Sequence, residues 1–400
     1  MSATGFSRRG FLGGLAAIAG SAIGTRIAGD SWIGEALAGP APAEPTSLVM
    51  VQLGGGYNSI FGSADSLVGK FGTTASTFEM LPGGVGFDKA MSVAFSPMAR
   101  KHLAVIGVKH GLSSHDAAAR ALWSKNDDNA GLVLADALGG TSPIKAAYAG
   151  RSFDFQKALF AGRVNGVSFQ PINDLGATID TLRGGALGAR APKREIAIAG
   201  MEAAQEMSTN ALAASPGSLS SVGNGFDAAI DTLKKPSAAI DLATLKQVYG
   251  LTSASVGSIA SRFAAAELMV MSGSKVVTVF DNRWDTHGDD DGAVVRNKMK
   301  DLVTPLKTFL TRMIDEQPAR NVVVCFMGEF ARDLPNSGHQ PNLSVTVIGK
   351  YVKPGTTGRT DANVALKAGT PGIAGMWAYL AAATKASGSP FGANPHGLVL

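Results

Sequence analysis

The chain has 400 residues, 45% of them hydrophobic and only 17% charged, with 50 glycines. This excludes a disordered polymer and points to an ordered globular protein rich in loops and tight turns. The formal net charge is only +5 and no Lys/Arg stripe with interleaved aromatics is visible, so nucleic acid is not an expected partner. The single cysteine, Cys325, excludes an internal disulfide, and inside the apolar run Val322–Phe326 it reads as a core residue, not a nucleophile.

The first element is a targeting segment. Ser7-Arg8-Arg9-Gly10-Phe11-Leu12 reads as a twin-arginine export motif. A weakly apolar Gly/Ala-rich stretch runs from Leu12 to Gly24, and Ala36-Leu37-Ala38 offers a small-x-small cleavage site. Residues 1–38 are therefore expected to be a signal peptide, followed by a Pro/Ala-rich linker over 39–46. The apolar stretch is too short and too glycine-rich to span a membrane, and Arg26 interrupts it. The expected location is periplasmic or secreted, with no stable membrane span after signal removal. Twin-arginine export carries proteins that fold before crossing, often with a metal or cofactor already loaded.

Residues 47–400 are long enough for one large α/β domain. Ser47–Leu53 reads as a first buried strand, ended by Gly54-Gly55-Gly56-Tyr57-Asn58. A second strand is predicted at Leu103–Val108, then a polar loop, then a helix over Asp116–Trp123. The middle, about 154–256, mixes Ala-rich helical pieces such as Glu195–Ala213 with Gly/Ser turns, and reads as a helical insertion. A helix is predicted at Ile259–Met271, and the strand Val276–Phe280 leads into Trp284-Asp285-Thr286-His287. An amphipathic helix over Val294–Ile314 contains Pro305. It precedes the strand Asn321–Met327 and the run Gly328-Glu329-Phe330-Ala331-Arg332. A strand at Ser344–Ile348 and a helix from Pro371 to Thr384, with Thr370 as N-cap, complete the chain. Strand–helix alternation with near-continuous apolar strands predicts a mostly parallel sheet with helices on both faces.

Four polar clusters follow four of these strands: Gly54–Asn58, Lys109–Asp116, Asp285–His287 and Glu329–His339. Carboxyl ends of parallel strands converge on one crevice. The candidate residues are Ser113, Ser114, His115, Asp116, Asp285, His287, Glu329, Arg332 and His339. A carboxylate and an imidazole two residues apart, as in Asp285 and His287, either bind a metal or share a proton. The bland alternative is a loop in which Asp285 caps the next helix and His287 is solvated. Ser113 and Ser114 equally suit helix capping. Asp289-Asp290-Asp291 suits a solvated loop opening the next helix. Glu329 and Arg332 suit a structural ion pair, and His102 and His110 suit packing or surface roles.

Leu53–Asn58, Ser114-His115-Asp116, Trp284–His287 and Gly328–Arg332, behind a twin-arginine leader, resemble the bacterial family catalogued as domain of unknown function fifteen-oh-one. That family is grouped with the alkaline phosphatase and sulfatase superfamily. The resemblance is strongest from about Ile259 to Gly355. It implies an alkaline-phosphatase-like α/β core and metal-dependent hydrolysis of phosphate or sulfate esters. It implies Asp285, His287, Glu329 and His339 as ligands of a divalent metal, zinc first. Ser114 would be the nucleophile, with Ser113 as runner-up, beside His115 and Arg332 as further catalytic candidates. The partners it implies are a small anionic ester or an envelope polymer, and an exported protein. The departures are specific. The first strand ends in glycines and Asn58 where the superfamily has an acidic ligand, and Asn336–Gln340 lacks the expected Asp beside its His. One metal is better supported than two. A non-catalytic binding or assembly protein of the same fold is the alternative.

Overall fold

A computed structural model describes residues 44–56, 69, 72–140, 142–150, 160–182, 191–212, 240–332, 336–358 and 368–400. The expected signal peptide, Tyr57, Asn58 and much of the middle segment lie outside the described residues. All that follows belongs to the unit Glu44–Leu400.

Among the described residues nine strands form the central sheet. They are β1 Thr46–Leu53, β2 Leu103–Lys109, β3 Ala146–Ala149, β4 Arg163–Val164, β5 Val167–Ile172, β6 Val276–Asp281, β7 Asn321–Met327, β8 Asn342–Ile348 and β9 Gly355–Thr357. Their spatial order is β9-β2-β8-β7-β1-β6-β3-β5-β4. β7, β1, β6, β3 and β5 run parallel to one another. The helices that bear on the site are α1 His115–Trp123, α2 Ile259–Met271, α3 Ala293–Leu310 and α4 Ile373–Ala383.

β1 is buried along both faces because successive side chains point to opposite sides of a strand. Val49, Val51 and Leu53 pack with Phe263 of α2 and with Met299 and Phe309 of α3. Leu48 and Met50 pack on the other side with Trp123 of α1 and Trp377 of α4. Each such fully buried side chain contributes about 1.5–3 kcal/mol, so the two layers hold the central strands in place. α2 begins with a reciprocal capping box between Ser258 and Ser261. Pro305 sits inside α3 without ending it, and the helix runs on into a π turn at Thr311–Asp315. No helix among the described residues is long and apolar enough to cross a membrane.

The sheet is mostly parallel, as expected, but β8 is antiparallel to both neighbours, β7 and β2. Among the described residues between β7 and β8 there is no crossover helix. Instead Ala331–Arg332 pairs with His339–Gln340 in a two-stranded ribbon, so the chain turns straight back. Part of the segment expected to be a helical insertion also belongs to the sheet. Leu175–Leu182, Ala191–Leu212 and Leu242–Tyr249 are helical, but β4 and β5 lie near one edge. Pro171 inside β5 breaks the usual strand pattern and is tolerated near that edge. The last helix starts at Ile373, with Gly372 and not Thr370 at its N-cap. Lys109 N–H donates to the Pro371 carbonyl at 3.0 Å, which ties Pro371 to the end of β2 and delays the first helical turn.

Candidate metal centre

The register brings five segments to one edge of the sheet. Leu53 is level with Asp281 and Gln52 with Met327, so β1, β6 and β7 end together. Asn342, the first residue of β8, lies opposite Lys109, the last of β2. The reversed direction of β8 therefore delivers His339, in the ribbon that precedes it, to the edge where its neighbours finish.

The turn after β1 organises this edge. Gly54 N–H donates to the Asp281 carbonyl at 2.7 Å, and Trp284 N–H donates to the Gly54 carbonyl at 2.9 Å. Gly55 has φ +115°, and a Cβ there would lie 2.0 Å from the Asp285 nitrogen. Gly56 has φ +92°, and its Cβ would meet the Phe330 ring at 2.6 Å. Both positions require glycine, and an acidic side chain at Gly55 is sterically excluded. The Gly55 N–H donates to both oxygens of Glu329, at 2.9 and 3.1 Å. The Gly55 carbonyl accepts from Arg332, through Nε at 2.8 Å and again through a terminal nitrogen.

Four side chains then converge. Among the described residues, His115, Asp285, His287 and His339 each offer one ligand atom, and these atoms all lie within 4.8 Å of one another. His287 Nε2 is 2.9 Å from His339 Nε2 and 3.5 Å from Asp285 Oδ1. His115 Nε2 is 3.8 Å from Asp285 Oδ2. The opposite ring nitrogens settle two tautomers. His339 Nδ1 lies 2.6 Å from the Ser113 carbonyl, which can only accept, so Nδ1 carries the proton. His115 Nδ1 lies 2.6 Å from Glu329 Oε1, a wholly buried carboxylate that also accepts from Gly55. Both rings therefore present an Nε2 lone pair to the centre. A metal-ligating histidine characteristically gives its other N–H to a carboxylate or carbonyl, and these two do so.

The donor set fits one tetrahedral ion. Bonds of about 2.0–2.1 Å place tetrahedral ligand atoms roughly 3.3 Å apart. The four ligand atoms lie within 4.8 Å of one another, so the wider pairs would draw in and the 2.9 Å imidazole pair would open by a few tenths of an ångström around an ion. Three imidazoles and one carboxylate suit zinc or a similar transition ion better than calcium or magnesium, which prefer all-oxygen shells. The Asp285 and His287 side chains are 52% and 57% exposed, so a ligand from solution can reach the centre.

The surroundings restrain these groups. Arg332 is fully buried and pairs with Asp285 Oδ1. It also donates to the Ser337 carbonyl at 2.5 Å. Ser337 has φ +54°, an uncommon conformation for a residue with a side chain, and its hydroxyl lies 3.2 Å from that of Thr286. Phe330 packs against the rings of both His115 and His339, at 4.7 and 4.1 Å between centroids. Burial lowers the pKa of His339 below the ordinary imidazole value, and the Arg332 guanidinium and the neighbouring His115 and His287 rings oppose a further charge there. The Ser113 carbonyl acts in the opposite sense. The net effect keeps the ring neutral and able to ligate.

Of the residues singled out from sequence, Asp285, His287 and His339 are brought together with His115 as a cluster that could hold a metal ion, and Glu329 stands one layer behind, on His115. Glu329 pairs with His115, and Arg332 with Asp285. Ser114 is exposed at the N-cap of α1 and makes no side-chain capping bond. Ser113 contributes its carbonyl to His339, and Asp116 pairs with Arg120 one turn along α1. Asp289 caps α3, accepting from the N–H groups of Val294 and Val295 at 3.0 Å, and Asp291 accepts from Ala293. Phe330 and Ser337 were not anticipated. Only the place of Phe330 between Glu329 and Arg332 hinted at its role.

Residues 218–369 match the family model described as "Protein of unknown function (DUF1501)". The matched stretch contains Asp285, His287, Glu329, Arg332 and His339, whereas His115 and the Gly55 turn precede it. No curated protein matches the chain.

Proposed function

We propose that this is an exported, metal-dependent hydrolase of phosphate or sulfate esters with an alkaline-phosphatase-like core, working with one divalent ion, zinc first. The observation that carries this reading is the convergence of His115, Asp285, His287 and His339 with two imidazoles held in the ligating tautomer. When bound, a divalent ion supplies Lewis acidity, polarising an ester oxygen and making a nucleophile available near neutral pH. The chain's own groups do the rest. Glu329 aims His115, Arg332 fixes Asp285, and the Ser113 carbonyl aims His339. Ser114 offers an exposed hydroxyl beside a ligand, at a helix start that favours an anionic group. Export through the twin-arginine route, to the periplasm or medium, rests on Arg8 and Arg9 in their sequence context.

The test is metal content of the processed protein by inductively coupled plasma mass spectrometry, followed by turnover of p-nitrophenyl phosphate and sulfate. About one ion per chain, lost in the Asp285→Ala/His287→Ala double variant together with turnover, is the expected result. A second reading is a non-catalytic binding or assembly protein of the same fold. It is favoured by the commitment of Glu329 and Arg332 to buried contacts, which takes both out of reach of a substrate. Stoichiometric metal with no turnover of either ester would select it. Metal-free protein after incubation with zinc would remove the hydrolase reading altogether.

A further inference from the structure

At the other end of the sheet, away from the metal centre, lies a cavity of about 210 Å³. It opens where β7 begins, at Val322, and Lys350, just past β8, is on its rim. Its apolar wall is Met98, Met313 and Val322, and its polar groups include Arg320, Asp315 and Lys350. The volume is below the roughly 300 Å³ at which drug-sized sites begin, so the occupant is small. Met98 and Met313 are unbranched and adaptable, which suits an aliphatic chain better than a rigid ring.

Arg320 is the informative member. Other arginines of this protein that leave solvent carry a carboxylate: Arg100 has Glu79, Arg296 has Asp88, Arg312 has Glu267 and Arg332 has Asp285. Among the described residues Arg320 has no such partner. Its hydrogen bond is a long one, 3.4 Å to the Val270 carbonyl. Burial lowers the pKa of its guanidinium, with no ion pair to oppose the shift. The other ionisable groups at the cavity are already engaged, His102 through Nδ1 at the Val352 carbonyl, 3.3 Å away. Asp315 accepts from the Ser96 hydroxyl at 2.7 Å, and Lys350 Nζ holds Glu44 and the Pro318 carbonyl. A half-buried guanidinium at an apolar cavity lacks an anion, and a planar carboxylate matches its fork.

We propose that this cavity is a binding site for a small aliphatic monocarboxylate, with its head on Arg320 and its chain against Met98, Met313 and Val322. The site is independent of the metal centre and of any hydrolysis there.

The test is isothermal titration calorimetry of the full chain with octanoate as probe, with inorganic phosphate and acetate as comparison titrants. Saturable octanoate binding with a negative heat-capacity change is expected, because apolar surface is buried. Arg320→Met should weaken it at least tenfold by removing the head contact, and Met313→Trp should do the same by filling the cavity. Circular dichroism melts establish that each variant is folded. Arg320→Lys, which keeps the charge but loses the fork, should fall between wild type and Arg320→Met. Absence of saturable octanoate binding would overturn the proposal. So would octanoate binding untouched by either substitution, or phosphate and acetate binding as tightly as octanoate, which would mark a plain anion contact.

Discussion

Glu329→Gln is the most informative single change at the candidate metal centre. The Glu329 carboxylate is fully buried and receives two kinds of donor, the Gly55 N–H at 2.9 and 3.1 Å and His115 Nδ1–H at 2.6 Å. A carboxamide of the same size has one accepting oxygen. With the amide oxygen in the Oε1 place it reaches both donors but is uncharged and a weaker acceptor for His115, while the NH₂ in the Oε2 place meets the Gly55 N–H donor against donor; with the two exchanged, the NH₂ meets His115 Nδ1–H. If His115 loses its acceptor, its tautomer and aim are no longer fixed. Substitution behind a metal-ligating histidine typically costs about 10–100-fold in metal affinity, which at 1.4 kcal/mol per decade is about 1.4–2.8 kcal/mol. The unsatisfied buried donor adds roughly 1–3 kcal/mol of lost fold stability without metal. The assay is zinc competition against a chromophoric chelator, paired with thermal melts in excess chelator to separate the two effects. Affinity within twofold of wild type would refute the assignment of Glu329 as the group that orients His115. A loss well beyond a hundredfold would instead make Glu329 a direct ligand.

Three other outcomes follow from the same physical arguments. Gly55→Ala adds a Cβ 2.0 Å from the Asp285 backbone in a left-handed conformation, so strain and overpacking together should cost several kcal/mol, about 1–3 from each source; a urea midpoint within error of wild type would contradict it. Burial pushes His110 and His396 from the ordinary 6.5 down to about 4, so the unfolded chain binds more protons than the folded one between those values, and stability falls as pH drops from 6.5 towards 4. The limit is about 3 kcal/mol per ring at 1.36 kcal/mol per pH unit; thermal melts in chelator should show the loss, and His396→Gln should flatten part of it. Glu267 is fully buried against Arg312 and the Tyr249 hydroxyl at 2.6–2.8 Å, so Glu267→Ala strands a partly buried guanidinium and should cost about 3 kcal/mol in chemical denaturation. A cost below 1 kcal/mol would mean that solvent reaches Arg312 and replaces the carboxylate.

The legible part of this fold is the part written in uninterrupted apolar residues. β7 and α2 have the limits expected from sequence, and β1, β2 and β6 differ only by a residue at an end, because length and composition both speak there. β3, with the sequence Ala-Ala-Tyr-Ala, is too short and too small-sided to stand out, and β5 hides behind Gln170 and Pro171. The direction of β8 is not a property of its own residues. It is set by the ribbon before it, where Arg332 lies opposite His339. Position after a strand predicts which end of the sheet a side chain occupies, and that sufficed to gather His115, Asp285, His287, Glu329 and His339. It does not say which atoms meet. Glu329 lies behind His115 because Gly55 N–H anchors it there, an approach that only a turn without side chains permits.

The lone cysteine leaves this chain without an internal disulfide to restrict its unfolded state. The four ligand groups offer another kind of tie. His339 meets His287 across 52 residues of sequence and the Ser113 carbonyl across 226. An ion held by His115, Asp285, His287 and His339 would be a removable cross-link between segments far apart in sequence, and clips that close long loops restrict the unfolded chain most. Loading would fasten the protein in its folded shape, and a chelator would undo the fastening without breaking a covalent bond.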